Sequence, residues 1–292
     1  MQAKLLLLHA LSPLHAGTGQ GVGVIDLPIA REKATGIPFV PGSTVKGVLR
    51  DACDDKTRRK QVFGPETDRA SEWAGSAQFT DQRLLLLPVR SLAGTFAWVT
   101  SPLLIQRFLR DEANVPTLQP TKTPPAPAND ETCVVAANGI CKLILTQDRN
   151  EQVVLEDLAL TPTKDANLTQ WAGWLGAQLF PTDGYWKTAL QQRLCIVSDD
   201  VLSFLLQTAT EITARIRLDD DKKTVAQGAL WYEEALPAES VLAGLVLATP
   251  IKASGAKVND VFKTIGDLVH DKTMQFGGNA TVGRGLCRMR LS

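Results

Sequence analysis

The two ends of this chain mirror one another, and that symmetry restricts the fold more than any other feature. Near the start, AKLLLLH (residues 3–9) reads as a buried strand, and the glycine-rich stretch HAGTGQGVGVIDLPIAR (His15 to Arg31) follows it. PGSTVKGVLRDAC then carries Val45, Val48, Leu49 and Ala52 at helical spacing. Near the finish the order reverses. VFKTIGDLVHD sets Val261, Phe262, Ile265, Leu268 and Val269 on one helical face, FGGNATVGRG is a second glycine loop, and RGLCRMRL alternates as a strand does. Strand, loop, helix followed by helix, loop, strand predicts an α+β sheet with helices packed on one side, of the ferredoxin-like kind.

In the first helix, Pro41 and Gly42 act as breakers and Ser43 as the N-cap, leaving Lys46 and Arg50 one turn apart on a face away from the apolar stripe. The stretch Val115 to Glu131 holds five of the sixteen prolines and almost nothing apolar, which predicts an exposed loop or insertion. Beyond it, Trp171, Trp174, Leu175 and Leu179 have helical spacing, and Asp199 and Asp200 are placed to cap a helix running to about Ile212. Residues Thr213 to Tyr232 alternate about a five-residue charged turn, with Ala214, Ile216 and Leu218 on one side and Arg215 and Arg217 on the other. That is a hairpin, either half-buried or projecting from the body.

Formal net charge is zero, with 31 basic and 31 acidic residues, which argues against a simple polyanion-coating protein. The distribution is uneven, however: residues 1–60 hold nine Lys/Arg against five Asp/Glu, and residues 272–292 hold four Lys/Arg and no acid. If the two ends fold together, a basic patch forms on a neutral protein. The five scattered cysteines and three histidines give no zinc-type spacing and suit reduced thiols. The LLLL runs fall far short of the roughly 18 apolar residues of a membrane span, so a cytoplasmic chain without a membrane partner is expected.

Neither glycine loop meets a familiar nucleotide-binding pattern. Gly17, Gly19, Gly21 and Gly23 never satisfy G-x-G-x-x-G, and where a P-loop needs Lys and Ser/Thr the second loop has Arg284 and Gly285. What remains is generic: glycine admits close approach of a ligand, and successive N–H groups can cradle phosphate, here with Asn279, Thr281 and Arg284 as added donors. The helix start at Ser43, Thr44 and Lys46 adds a positive dipole end. Tight turn geometry alone would account for either loop; together with the basic ends they suit a nucleic acid or nucleotide.

These segments carry a resemblance. LHAGTGQGVGVIDLPIAREKATGIPFVPGSTVKGVLRD, GALWYEEALP and FGGNATVGRG look like the RAMP proteins of CRISPR systems, most of all the backbone subunit of the Cmr (type III-B) effector rather than of its Csm (type III-A) counterpart. The resemblance implies a single RAMP domain over 1–292: an RRM-like palm with insertions and a protruding thumb hairpin, for which Thr213 to Tyr232 is the candidate. It implies that copies of the chain stack along a crRNA beside other Cmr subunits and that each cuts complementary single-stranded target RNA. The family's cleaving aspartate matches Asp26, with Mg2+ or Mn2+ loosely held there and completed by RNA.

His15 is a candidate proton donor or RNA contact; Glu233 and Glu234 are candidate assistants, the alternative being a solvated acidic corner. Trp231 and Tyr232 are expected to pack the base of the hairpin. Gly17, Gly19, Ser43, Lys46, Arg50, Arg215, Arg217, Gly277, Gly278, Asn279 and Arg284 are the candidate RNA contacts. The competing readings are a crRNA-binding scaffold that does not cut, a metal-independent guide-processing ribonuclease, and a small-nucleotide hydrolase, the last disfavoured by the failed P-loop.

Overall fold

The computed structural model describes residues 1–18, 25–66, 72–115, 118, 122–219, 225–270 and 272–292. The first third holds β1 (Gln2–Ala10), β2 (Phe39–Val40), α1 (Gly42–Asp51), α2 (Lys56–Phe63), β3 (Ala77–Phe79), β4 (Gln82–Arg90), β5 (Phe96–Thr100) and α3 (Pro102–Glu112). The middle adds β6 (Thr132–Ala136), β7 (Ile144–Gln147), β8 (Asn150–Leu155), β9 (Leu158–Asp165), α4 (Ala166–Leu179), α5 (Gly184–Arg193), β10 (Leu194–Ile196) and α6 (Asp199–Thr208). The last part contains β11 (Glu211–Leu218), β12 (Val225–Ala235), β13 (Val241–Ala248), α7 (Val258–Val269), β14 (Thr273–Gln275) and β15 (Leu286–Leu291).

The centre of the large mixed sheet is four antiparallel strands in the order β15-β1-β13-β4. In the chain, α1 lies between β1 and β4, and α7 between β13 and β15. The two ends therefore meet, as the mirrored pattern predicts, and Leu5 and Ser292 exchange both backbone hydrogen bonds. Beyond β4 the sheet continues through β5, β10, β6, β9, β8 and β7. It is unbroken across the proline-rich stretch, because β5 and β6, from either side of it, both pair with β10.

Helices cover both faces of this sheet, not one. Leu6, Leu8 and Ala10 of β1 join a core with α1, α2, α6 and α7, while Ala3, Leu5 and Leu7 join a second core under α3, α4 and α5. A strand enclosed on both faces has no polar side to show, which is why residues 5–8 are four consecutive leucines. On α7 all five residues of the expected stripe are buried; each such side chain contributes roughly 1.5–3 kcal/mol relative to exposure. Trp171, Leu175 and Leu179 of α4 are buried likewise, and Trp174 packs against them. α6 ends at Thr208, short of the expected Ile212, because β11 already begins at Glu211. Ser198 caps α6, accepting from Val201 N–H, and the two aspartates sit in its first turn.

The hairpin is longer than its sequence signal. β11 and β12 form a sheet of their own, running from Glu211↔Ala235 to Leu218↔Val225 with a bulge beyond Ile216. Ile212, Ala214 and Ile216, with Leu230 and Tyr232 across from the last two, share one solvent-facing side; Thr213, Arg215 and Arg217 share the other. The cysteines are all free thiols, and burial pushes Cys287 up to about 12, so it is an inert core group.

Candidate active site

The described ends of the N-terminal glycine stretch lie against one another and against the foot of the hairpin. Leu14 pairs with Leu236, Gly17 with Ile29 and Arg31 with Pro38 in isolated antiparallel bridges. Gly19, Gly21 and Gly23 lie outside the described residues. The return arm lies against the foot of the hairpin: Leu27 N–H donates to the Tyr232 carbonyl at 3.1 Å, and Leu27 O accepts from Glu234 N–H at 2.9 Å. Between them the exposed Asp26 accepts the Tyr232 N–H at 2.8 Å through Oδ2. One backbone hydrogen bond thus ties this exposed carboxylate to the hairpin.

The two acids beside it are not a solvated corner; they are 5% and 3% exposed and fully engaged. Glu234 accepts from Arg31, Thr210 Oγ1 and Ile29 N–H, and Arg31 also donates to the carbonyls of Gly36 and Leu206. Glu233 accepts from Arg215 Nε, Trp231 Nε1 and Asn279 Nδ2 at 3.0–3.1 Å. Burial works to raise the Glu233 carboxyl, but the hydrogen bonds from Trp231 and Arg215 and the charges of Arg215 and Arg284 outweigh it and hold it below its ordinary value. Both carboxylates are tied into the fold by these bonds. Trp231 serves the foot of the hairpin as expected, but Tyr232 is 41% exposed. His15 is buried, and since a carbonyl only accepts, its Nδ1 carries the proton donated to Glu234 O at 2.6 Å.

The C-terminal loop packs directly on this assembly. Gly277 and Gly285 have φ of 73° and 74°, and a Cβ on either would strike a backbone carbonyl, of His15 and Phe276 respectively. Several of its N–H groups are spent within the fold: Gly278 donates to His15 O, Gly285 to Pro13 O, and Val282, Gly283 and Arg284 to carbonyls within the loop. The guanidinium of Arg284 is buried, donating to Thr213 Oγ1 with Glu211 3.9 Å away. Of the arginines expected at RNA, Arg284 and Arg215 therefore brace the hairpin, and Arg217 is the exposed one.

α1 also departs from expectation at its start. It begins at Gly42 with Pro41 as N-cap, so Ser43 is inside the helix; Asp81, distant in sequence, accepts the Gly42 N–H at 2.8 Å and occupies part of the expected anion site. Arg50 is committed to the carbonyls of Gly64 and Pro65 and to Glu66, so it pins a neighbouring loop. Lys46, half-buried, keeps its place on the face predicted for it. Arg31 was absent from the sequence-derived candidates although it lies in the first glycine motif; its role follows only from Glu234, 203 residues on.

Among the described residues no three His, Cys, Asp or Glu side chains gather as a metal site. Among the described acids at the hairpin foot, Glu233 and Glu234 are engaged within the fold and Glu211 stands by Arg284, while Asp26 is exposed. That suits Mg2+ kept mostly hydrated and shared with a substrate phosphate better than any enclosed cation.

The chain belongs to the RAMP superfamily, whose model matches residues 7–288. It is 36% identical over 304 positions to the CRISPR system Cmr endoribonuclease Cmr4 of Pyrococcus furiosus, covering 100% of this chain and 96% of that protein. The CRISPR system CMR subunit Cmr4 of Saccharolobus solfataricus is 22% identical, covering 98% and 96%. The crystal structure of oligomeric Cmr4 from Pyrococcus furiosus superposes with a TM-score of 0.74 at 30% identity, covering 100% of this chain and 98% of that one. A chain of the type III-B Cmr-beta complex bound to cognate target RNA shares the fold, with a TM-score of 0.73 at 20% identity over 100% and 97%.

Proposed function

We propose that this chain is the repeated backbone subunit of a type III-B CRISPR effector, assembling in copies along a crRNA with other Cmr subunits in the cytoplasm and cutting complementary target RNA. In this reading β15-β1-β13-β4 with α1 and α7 is a ferredoxin-like palm, β5 to β10 are insertions, and β11–β12 is the thumb. The βαββαβ order supports the palm, and a hairpin outside the main sheet supports the thumb. No helix of the described residues is long and apolar enough to cross a membrane.

The observation that carries the cutting role is Asp26: an exposed carboxylate fixed to the hairpin by Tyr232 N–H, in a chain related over its full length to a Cmr endoribonuclease. RNA is cut when its own 2′-oxygen attacks the neighbouring phosphorus in line with the departing 5′-oxygen. A P–O2′ bond forms and the P–O5′ bond breaks, leaving a 2′,3′-cyclic phosphate and, after protonation, a 5′-hydroxyl. Asp26 is placed to accept the 2′-hydroxyl proton. A hydrated Mg2+ or Mn2+ held through Asp26 would stabilise charge on the phosphorane.

In the reconstituted effector, Asp26→Ala should lower target cleavage by about 10²–10⁴-fold while crRNA and target binding stay intact. Undiminished cleavage overturns the assignment and leaves a scaffold. EDTA should abolish cutting of target, and metal-independent cutting of precursor RNA would instead identify a guide-processing enzyme.

A further inference from the structure

Between the first residues of β1 and one flank of α7 lies a cavity of about 800 Å3 whose two lysines, Lys4 and Lys263, have no part in anything described so far. Asn259, Phe262, Lys263, Gly266 and His270 recur at three- and four-residue intervals along α7 and form one wall; Gln2 and Lys4 stand opposite on β1. The cavity is remote from Asp26. Leu14, which pairs with Leu236 just past the hairpin, lies beyond the other end of β1, and the strand from Lys4 to Ala10 alone spans about 20 Å.

The groups that meet there are of four kinds. Lys4 carries its Nζ 5.6 Å from the centroid of the Phe262 ring, so a positive charge stands against an apolar wall that Leu291 continues. Among the described residues the side chains of Gln2, Asn259 and Lys263 make no hydrogen bond or ion pair within the fold, and Lys4 makes only that ring contact. Asp267 is opposed by Arg58 at 3.6 Å, an exposed pair of little strength that leaves the carboxylate able to accept from a hydroxyl. Gly266, without a side chain, keeps the middle of the wall open.

Cations without counter-ions, amides with donors and acceptors unspent, a carboxylate and an apolar surface are together the parts that a nucleoside phosphate engages. Its phosphate meets the lysines, its ribose hydroxyls the carboxylate, and its base the apolar wall with its edge at an amide. A bare anion would leave the apolar wall idle and be repelled by Asp267, and the volume falls within the range of small-molecule sites. We propose that this cavity binds a nucleoside phosphate, either a free nucleotide or the terminal nucleotide of an RNA strand. The assignment does not depend on the cleavage reading above.

Titration calorimetry of the full chain with 5′-AMP should show one site per chain, and Lys4→Gln or Lys263→Gln should each weaken it about tenfold, the worth of one hydrogen bond to a charged group. Gly266→Leu should abolish it. The added side chain enters the cavity from a helix position where leucine is the better helix former, and a Cβ there meets only the His270 ring, at 3.4 Å and beyond. A thermal midpoint at or above that of wild type shows this variant folded, and Lys263, being exposed, gives a substitution that leaves the core untouched. A 5′-phosphorylated RNA tetranucleotide separates the two sources: binding tighter than 5′-AMP and lost in Gly266→Leu assigns the site to an RNA end, and binding no tighter assigns it to a free nucleotide. Inorganic phosphate that competes as well as 5′-AMP overturns the nucleoside assignment. Failure of both probes to bind, or binding that survives all three substitutions, overturns the site.

Discussion

The two glycine loops look alike in sequence and differ in how they use glycine. In the C-terminal loop the residue is imposed by steric demand: Gly277 and Gly285 combine a left-handed backbone with a carbonyl where a Cβ would sit. In the N-terminal loop the described Gly17 has no such backbone, and a Cβ there would meet a side chain, the His15 imidazole, at 2.7 Å. The first is a brace that spends several of its N–H groups on carbonyls within the fold. The second presents a carboxylate and is fixed at one end by the hairpin. Glycine content alone therefore does not distinguish a ligand cradle from a structural clasp; the fate of the N–H groups does.

The sharpest way to break this contrast is substitution by alanine. Gly285→Ala should cost about 3 kcal/mol, from the strained φ and the carbonyl it would strike, read as a lower denaturation midpoint; a shift of a few tenths would show that the loop yields. Gly17→Ala should cost only about 1 kcal/mol, the worth of the His15 hydrogen bond it disturbs, with most of the cleavage activity retained. Glu233 joins the two loops and gives a smaller, pH-dependent effect. Its folded pKa is depressed, so the stability it contributes is present above its ordinary value near 4.5 and is lost as pH falls through the depressed one. Glu233→Gln should therefore flatten the acid limb of the stability profile; an unchanged limb would show the network around Arg215 and Asn279 to be idle. The smallest expected change is Lys46→Ala: no loss of stability, but a salt slope for RNA binding reduced by about one. Arg50→Ala should do the reverse, loosening the loop at 64–66 without altering that slope.

What the sequence revealed was what neighbouring residues decide. The α7 stripe, the alternation of the hairpin and the pairing of the chain ends are all local periodicities or their direct consequence. Four consecutive leucines in β1 already implied cover on both faces, and a one-sided helix layer ignored that. The site was less legible because its partners are remote: Asp81 supplants Ser43 at the start of α1, Glu66 takes Arg50, Arg31 takes Glu234, and Asn279 takes Glu233. Arg50, Arg215 and Arg284, read as RNA contacts, became braces once remote partners appeared: Glu66 with two loop carbonyls, Glu233, and Thr213 with Glu211. Asp26 was singled out by resemblance, and its attachment to Tyr232 has no local signature.

The placement of β1 between β13 and β15 has a bearing on biosynthesis. The opening strand waits for partners at 241–248 and 286–291, so the central sheet cannot close until residue 291 has cleared the ribosome. Loop closure over nearly the full chain is entropically slow, and until then β1 exposes a ready edge of leucines. A nascent chain stalled anywhere before its last strand is thus a sticky intermediate, and newly made copies emerging close together on one message would be at greatest risk of exchanging that strand.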